Sequence, residues 1–135
     1  NNKNYCSVDG VLLNKEKTIL IQYPTGSNNT SYTVHNGIIT IDDRAFINCT
    51  SIRKITIPAD VTEIKDFAFY GCKNLTTVYY PGTQEEWNKI SISKENTYLT
   101  DANIHFNYCS YKYHYDNFLF VVKIQHTKYI FCQSM

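Results

Sequence analysis

The feature that most constrains this chain is an internal repeat with a period of 23 residues. Residues 37–58 align with residues 60–81 without a gap. The identical pairs are Ile41 with Ile64, Asp43 with Asp66, Ala45 with Ala68, Phe46 with Phe69, Cys49 with Cys72 and Pro58 with Pro81. A period of roughly 20–29 residues is typical of leucine-rich repeats, in which each unit buries its apolar side only against its neighbours. The repeat therefore predicts a solenoid of stacked units.

Within one unit the pattern predicts two short strands and a turn. Ile55 and Ile57 are β-branched and alternate with a polar residue, so we expect them to point into the core. A second extended piece follows at 61–64. Asp66 is then placed to cap a single helical turn, and Gly71 offers the left-handed conformation that ends it.

Two ladders of side chains are predicted in the interior, Phe46 over Phe69 and Cys49 over Cys72. Free cysteine behaves as a small buried hydrophobic residue, so one cysteine per unit fits a recurring gap in the packing. A disulfide between Cys49 and Cys72 is the alternative, and the sequence does not specify the geometry that it requires. The chain has five cysteines, which cannot all pair within one molecule.

We expect different sequence at each end, because a solenoid leaves its core exposed there. The expected segments are an N-terminal β-hairpin cap at 1–31, leucine-rich repeats at 32–81, a C-terminal cap with a short helix at 82–108 and an aromatic β-rich tail of unknown role at 109–135. The repeats number barely two and a half, since only residues 32–35 represent a third unit. Thr83 and Glu86 form a capping box, and Trp87 is predicted to cover the open core.

The tail is dense in tyrosine, phenylalanine and β-branched residues. Strands are predicted at 111–115 and 118–125, with a third ending at Phe131. Because exposed strand edges invite pairing, the tail is predicted to pack on the C-terminal cap or to pair with a second copy of the chain. The other interpretation is that this segment is an unusual end of the reading frame and not a module maintained by selection.

A metal site in the tail is a further hypothesis. Two cysteines and two histidines have spacings close to those of a zinc finger: Cys109, His114, His126 and Cys132. The flanking residues form no recognisable finger, so packing is the preferred interpretation. No metal or other cofactor is predicted.

Composition and motifs exclude several classes of protein. The formal net charge of +1 argues against nucleic-acid binding that works by charge. No run approaches the roughly 20 apolar residues that span a bilayer, so no membrane insertion is expected. No basic start precedes an apolar stretch, so we expect any signal peptide to have been removed. No cysteine or serine nucleophile is placed beside a histidine base. No phosphate-binding glycine loop, HExxH or GxSxG string occurs. We therefore assign no catalytic residue and do not expect an enzyme.

Residues 5–108 resemble the bacterial BspA-like leucine-rich-repeat family. The resemblance is carried by VDGVLLNKEKTILIQYP, by ITIPADVTEIKDFAFYGCKNLTTVYY, and by GTQEEWNKISI with NTYLTDANIHFNY. Together with the end segments it predicts an α+β repeat fold, a short curved solenoid with β-strands on the concave face, an N-terminal β-hairpin cap and a C-terminal helical cap. The resemblance also implies a secreted or surface-attached bacterial protein with a role in adhesion, and it brings no catalytic motif.

A candidate binding surface follows from the inward orientation of the repeat isoleucines, because the residues between them face outward. The candidate partner-binding residues are Thr33, Arg53, Lys54, Thr56, Thr76, Thr77 and Tyr79. This basic, hydroxyl-rich and aromatic set suits a host or bacterial surface protein or a glycan. The predicted function is a non-enzymatic interaction or adhesion module outside the cell. The alternative is a structural spacer, or a module that forms a homodimer through residues 109–135.

Overall fold

The structure is a computed structural model that describes residues 2–108 and the strands at 120–124 and 128–132. The strands are β1 (Tyr5–Val8), β2 (Val11–Asn14), β3 (Ile19–Gln22), β4 (Ser31–Thr33), β5 (Thr40–Ile41), β6 (Lys54–Thr56), β7 (Glu63–Ile64), β8 (Thr77–Tyr79), β9 (Ser91–Ile92), β10 (Asn103–His105), β11 (Phe120–Ile124) and β12 (Lys128–Cys132). The helices are α1 (Gln84–Trp87) and α2 (Thr97–Thr100), each four residues long.

The chain winds as a mostly β solenoid of about four turns, in which each turn places one strand in each of two sheets. The larger sheet has the order β1-β2-β3-β5-β7-β9, and the smaller sheet has the order β10-β8-β6-β4. From β3 to β10 the chain alternates between the two sheets. All pairings between successive turns are parallel, as required when each unit repeats the path of the previous one.

An antiparallel hairpin begins the larger sheet. β1 pairs with β2, and β2 pairs with β3, through turns at 9–10 and 15–17. Asp9 and Gly10 in the first turn have φ of 51° and 81°, the left-handed region that such turns require. β3 also pairs in parallel with β5, so the hairpin continues directly into the sheet of the solenoid.

The interior is filled by ladders of equivalent residues from successive turns. Ile55 lies in register with Val78, and both side chains are fully buried. The rings of Phe46 and Phe69 stack with centroids 4.8 Å apart, which confirms the predicted phenylalanine ladder. The residues that form the buried ladder of the larger sheet are Leu20, Ile41 and Ile64.

The turns that follow β5 and β7 are not the predicted helical turns. Residues 43–48 and 66–71 form turns in which Arg44 and Phe67 have φ of 56° and 57°. A left-handed residue near the start prevents a right-handed helical turn from forming. The prediction was wrong here because neither arginine nor phenylalanine favours this backbone conformation. The predicted left-handed conformation of Gly71 is present, with φ of 76°.

These turns form a third line of backbone hydrogen bonds along the solenoid. The Phe46 N–H donates to the Ala68 carbonyl at 2.7 Å, and the Asn48 N–H donates to the Tyr70 carbonyl at 2.8 Å. Asp66, the predicted helix cap, instead accepts a hydrogen bond from the backbone N–H of Lys94 in the next turn. These bonds to the neighbouring turn add to local ones, such as the Tyr70 N–H donating to the Phe67 carbonyl at 3.0 Å.

Residues 82–108 add a further turn to the solenoid, which corrects the expected helical cap and the count of two and a half repeats. β9 pairs with β7, and β10 pairs with β8. Paired residues are here further apart in sequence than elsewhere, since Glu63 pairs with Ser91 and Thr77 pairs with Asn103. The two short helices occupy the extra length, so this turn does not match the period of the others.

Helix α1 begins with the predicted capping box. The Thr83 hydroxyl accepts a hydrogen bond from the Glu86 N–H at 3.2 Å, and the Glu86 carboxylate accepts one from the Thr83 N–H at 2.9 Å. Trp87 is 6% exposed and packs edge-on against Tyr80, with ring centroids 5.2 Å apart. The indole therefore packs against the core, as the sequence predicts.

Asn96 is a buried polar residue in the last turn, and its side chain takes the place of a backbone hydrogen-bond acceptor. Its side-chain oxygen accepts a hydrogen bond from the Phe69 N–H at 2.9 Å. In the preceding turn the equivalent donor, the Phe46 N–H, finds a backbone carbonyl. The Asn96 amide also donates to the carbonyls of Lys65 and Ser93 at 2.9 and 3.0 Å. One side chain thus satisfies backbone groups from two turns.

The tail contributes a separate two-stranded antiparallel sheet, β11-β12. β11 falls within the strand predicted at 118–125, and β12 includes Phe131, where a third strand was expected to end. The strand predicted at 111–115 lies outside the described residues.

Candidate functional site

The outward face of the smaller sheet brings the predicted binding residues together. Lys54 lies in register with Thr77, and Thr56 lies between Thr33 and Tyr79. These side chains alternate with the buried ladder, so they share one face of the sheet. We call this surface the β4–β10 face. Its outward positions are Ser31, Thr33, Lys54, Thr56, Thr77, Tyr79, Asn103 and His105.

Arg53 and Thr76 lie at the edge of the β4–β10 face, one residue before β6 and β8. The Thr76 hydroxyl donates to the Arg53 carbonyl at 3.2 Å and lies 3.4 Å from the Thr77 hydroxyl. Both residues are exposed. All seven predicted residues therefore lie in or beside one patch.

Three residues of the last turn extend this patch and were missed by the sequence analysis. His105 stacks on Tyr79 with ring centroids 5.2 Å apart, and Tyr108 lies against Tyr79 at 4.3 Å. Asn103 lies beside Thr77 in the sheet, and its amide is 3.3 Å from the His105 ring. The alternation of apolar residues at 102, 104 and 106 was the signal that places 103 and 105 on the outward face.

The charges of the β4–β10 face are unpaired within the described residues. Neither Arg53 nor Lys54 forms an ion pair there, and no outward position of the face is acidic. Asp101, two residues before β10, is the acidic residue nearest to these strands in sequence. The face therefore presents positive charge together with hydroxyl and aromatic groups.

The outward face of the larger sheet carries charges of both signs. Lys65 and Asp42 form a salt bridge of 3.0 Å, and the hydrogen bond to Asp42 raises the pKa of Lys65 above its usual value. Glu63 lies nearby and accepts a hydrogen bond from Thr40 at 3.5 Å. The charges on this surface are largely compensated, whereas the cations of the β4–β10 face are not.

An open groove of about 520 Å³ lies where the larger sheet meets the turns. Its lining residues are Asp43, Arg44, Glu63, Lys65, Asp66, Phe67 and Ser93. Arg44 pairs with Asp43 and lies over the Phe67 ring, 5.2 Å from its centroid. Within the described residues no group of three or more histidines, cysteines and acids is arranged to hold a metal ion. The groove is therefore lined mainly by charged side chains, three acidic and two basic.

The repeat cysteines are buried thiols without a base to activate them. Cys49 and Cys72 are free and at most 2% exposed. Burial raises the pKa of Cys49 to about 11 and that of Cys72 to about 12. The Cys72 thiol donates to the Phe46 carbonyl at 3.0 Å. Protonated, hydrogen-bonded thiols suit packing rather than nucleophilic chemistry.

Two further predictions concern the tail and the membrane. Cys109, His114 and His126 of the hypothetical zinc site lie outside the described residues, and the side chain of Cys132 is not described either. Among the helices that the structure describes, none has the length and apolar character to cross a bilayer.

Comparison with solved structures finds similarity to parts of bacterial proteins. The pneumococcal vaccine antigen PcpA is 29% identical with a TM-score of 0.51, covering 58% of this chain and 22% of that chain. A leucine-rich repeat protein from Eubacterium ventriosum is 27% identical, with a TM-score of 0.44 and coverage of 58% and 27%. A leucine rich cell surface protein from Faecalibacterium prausnitzii is 19% identical, with a TM-score of 0.43 and coverage of 67% and 43%. This chain thus spans less than a quarter of PcpA.

No curated protein matches the chain. A family model described as "BspA type Leucine rich repeat region (6 copies)" matches residues 23–130. The match extends beyond residue 108, where the resemblance was expected to end, and includes much of the tail. It confirms the family that the repeat motifs indicate. The chain belongs to the BspA-type leucine-rich-repeat family.

Proposed function

We propose that this chain is a non-enzymatic interaction module of a secreted or surface-attached bacterial protein. The observation that carries the proposal is the β4–β10 face, where unpaired cations, hydroxyl groups and a three-ring aromatic patch lie on one sheet surface. The partner is a surface protein or a glycan that contacts this face, which we assign to the concave side of the solenoid. Adhesion of the parent protein to a host or bacterial surface is the role that follows.

One comparison supports a binding role and another supports a surface location. The family is one of repeat proteins, whose extended sheet surfaces serve binding more readily than catalysis. The pneumococcal structure to which the chain is similar is a vaccine antigen. Because this chain spans only 22% of that protein, the module is proposed as one part of a binding surface.

A panel of extracellular-matrix proteins and glycans tests the proposal. The purified chain is compared with a triple variant, Arg53→Ala, Lys54→Ala and Tyr79→Ala, in which the β4–β10 face loses two cations and its central ring. A matched control carries Arg44→Ala, Lys94→Ala and Tyr70→Ala, which removes the same residue types from exposed positions outside the face. We expect saturable binding to at least one partner, lost in the first variant and retained in the second.

Two results would contradict this assignment. Equal binding by both triple variants would remove the β4–β10 face from consideration. Loss of binding in both would indicate a non-specific effect of charge, since the two variants lose the same net charge. Circular dichroism of each variant ensures that a loss of binding does not reflect unfolding.

Self-association through the tail is a second candidate function. β11 and β12 form a two-stranded sheet that pairs with none of β1–β10. An isolated two-stranded sheet is at best marginally stable in water, so pairing of its edge with a second copy would stabilise it. Light scattering coupled to gel filtration tests this: the full chain should be a dimer, and a chain ending at Tyr108 should be a monomer. A monomeric full chain at high concentration would exclude the dimer.

A further inference from the structure

We propose that the β4–β10 face binds an anionic polysaccharide, with sugar rings packed on the aromatic patch and acidic substituents paired with Lys54 and Arg53. This inference rests on the proposed function, because it names the class of partner for the same surface. It is carried by the arrangement of rings, cations and hydroxyl groups described above.

The aromatic patch is formed by Tyr79, His105 and Tyr108. His105 stacks on Tyr79 with centroids 5.2 Å apart, and Tyr108 lies 4.3 Å from Tyr79, each ring inclined by 30° to it, so the three form one compact cluster in which His105 is the exposed ring. Aromatic faces carry partial negative charge, and the C–H groups of a sugar ring carry partial positive charge. Neither tyrosine hydroxyl hydrogen-bonds to a described residue, so both are available to a ligand. The patch therefore suits the apolar face of a sugar ring.

The cations lie within reach of the same ligand. Lys54 lies directly across from Thr77, and Thr77 is two residues before Tyr79 on β8. With strands about 4.8 Å apart and about 3.3 Å per residue along a strand, the Lys54 and Tyr79 Cα atoms are roughly 8 Å apart. Arg53 is adjacent to Lys54 and is also exposed. A ligand that packs on the rings can therefore place a sulfate or carboxylate beside both cations.

The rest of the face favours a glycan over a protein. Its remaining positions are mainly serine, threonine and asparagine, whose short side chains can donate and accept hydrogen bonds. The core of a protein interface usually needs apolar side chains. The exposed large hydrophobic residues that the structure describes, Tyr5, Leu12, Ile39 and Tyr70, all lie outside the face. The absence of acidic outward positions further favours an anionic partner over a neutral one.

Three polymers separate the contributions of charge and rings. Dextran sulfate has sugar rings and negative charge, dextran has the same rings without charge, and linear polyphosphate has charge without rings. We measure their binding to the full chain by calorimetry at two salt concentrations. The inference predicts saturable binding of dextran sulfate and binding of dextran that is at least about tenfold weaker.

Single variants then identify the contacts. Lys54→Ala should weaken binding of both polyanions by roughly fivefold or more, because it removes a cation that both can use. Tyr79→Ala should weaken binding of dextran sulfate by a similar factor and leave binding of polyphosphate unchanged. Lys94→Ala and Tyr70→Ala are the matched controls and should change neither.

Each of the following results would overturn a stated part of the inference. Equal binding of dextran and dextran sulfate would remove the anionic requirement, and insensitivity of dextran sulfate binding to Tyr79→Ala would remove the sugar–ring contact. If no polymer binds but the panel above yields a protein partner lost in the triple variant, the glycan inference fails and the proposed function stands. If the triple variant binds every partner normally, the proposed function fails as well.

Discussion

The rings of Phe46 and Phe69 lie 7° from parallel with centroids 4.8 Å apart, although the two residues are separated by a full 23-residue repeat. Both are at most 1% exposed. Each ring packs against the neighbouring turn. This contact illustrates why a single unit cannot bury its apolar side alone. It also explains why equivalent residues recur at a fixed period in the sequence.

Loss of this contact should be severely destabilising. We expect Phe69→Ala to lower the free energy of unfolding by about 3–5 kcal/mol, because it removes a buried ring and leaves a cavity between turns. Phe67→Ala, at a half-buried position two residues earlier, should cost much less. Urea denaturation followed by circular dichroism measures both. Equal losses for the two variants would show that the phenylalanine ladder has no special role in stability.

Gly71 and Asn48 should be energetically coupled. Gly71 has φ of 76°, and a Cβ atom placed there would clash with the Asn48 side-chain oxygen. Gly71→Ala should therefore cost more than the roughly 1–2 kcal/mol of a left-handed residue alone. In an Asn48→Gly background the clash with the side chain disappears, and the cost of Gly71→Ala should fall by about 1 kcal/mol or more. Additive effects in this double-mutant cycle would contradict the close approach.

Asn96 should be difficult to replace. Asn96→Ala leaves the Phe69 N–H unpaired in the interior and removes one of the two donors to the Lys65 carbonyl, at an expected cost of about 1–3 kcal/mol. Asn96→Asp keeps the acceptor but places a carboxylate among carbonyl oxygens, which raises the pKa of the new acid. Its stability should therefore increase as pH falls through that pKa. Thermal unfolding from pH 4 to 8 checks this, and a pH-independent Asn96→Asp variant would contradict the hydrogen-bond assignment.

The buried thiols predict a loss of stability in alkali. Burial raises the pKa of Cys72 from 9.0 to about 12. Between these values the unfolded chain releases the proton while the folded chain retains it, so the thiol's contribution is intact below pH 9 and declines as pH rises toward 12. The slope is at most roughly 1.4 kcal/mol per pH unit for one thiol.

Unfolding measured between pH 7 and 11 tests this effect. Cys72→Ala should show a shallower alkaline decline than the unmodified chain. Ile55→Val, which weakens the same core while keeping both thiols, serves as the control and should retain the full slope. Parallel declines in all three proteins would show that Cys72 does not contribute to the pH dependence.

Much of the fold could be predicted from the repeat, because identical residues at a fixed period must stack. The register of β6 on β8 and the phenylalanine ladder both follow from the alignment of the two units. The turns could not be predicted, since the left-handed conformation of Arg44 and Phe67 is imposed by contacts with the next turn and not by local preference. The last turn was interpreted as a cap because its two helices change the spacing.

The candidate surface could be predicted in part for the same reason. Alternation along β6 and β8 is enough to place Lys54, Thr56 and Tyr79 on one face. His105 and Tyr108 belong to the turn that breaks the period, so no alignment with an earlier unit points to them. Their contact with Tyr79 depends on β10 joining the sheet, which only the folded chain shows.

The measurement that tests the central claim most directly is lysine footprinting of the chain with and without saturating dextran sulfate. Acetylation rates are compared for Lys54 on the β4–β10 face and for Lys65 and Lys94 outside it. The account predicts that Lys54 alone of these three is protected, and that half-maximal protection in Tyr79→Ala requires roughly fivefold more dextran sulfate. Equal protection of all three lysines, or protection of Lys65 and Lys94 with Lys54 still reactive, would contradict it.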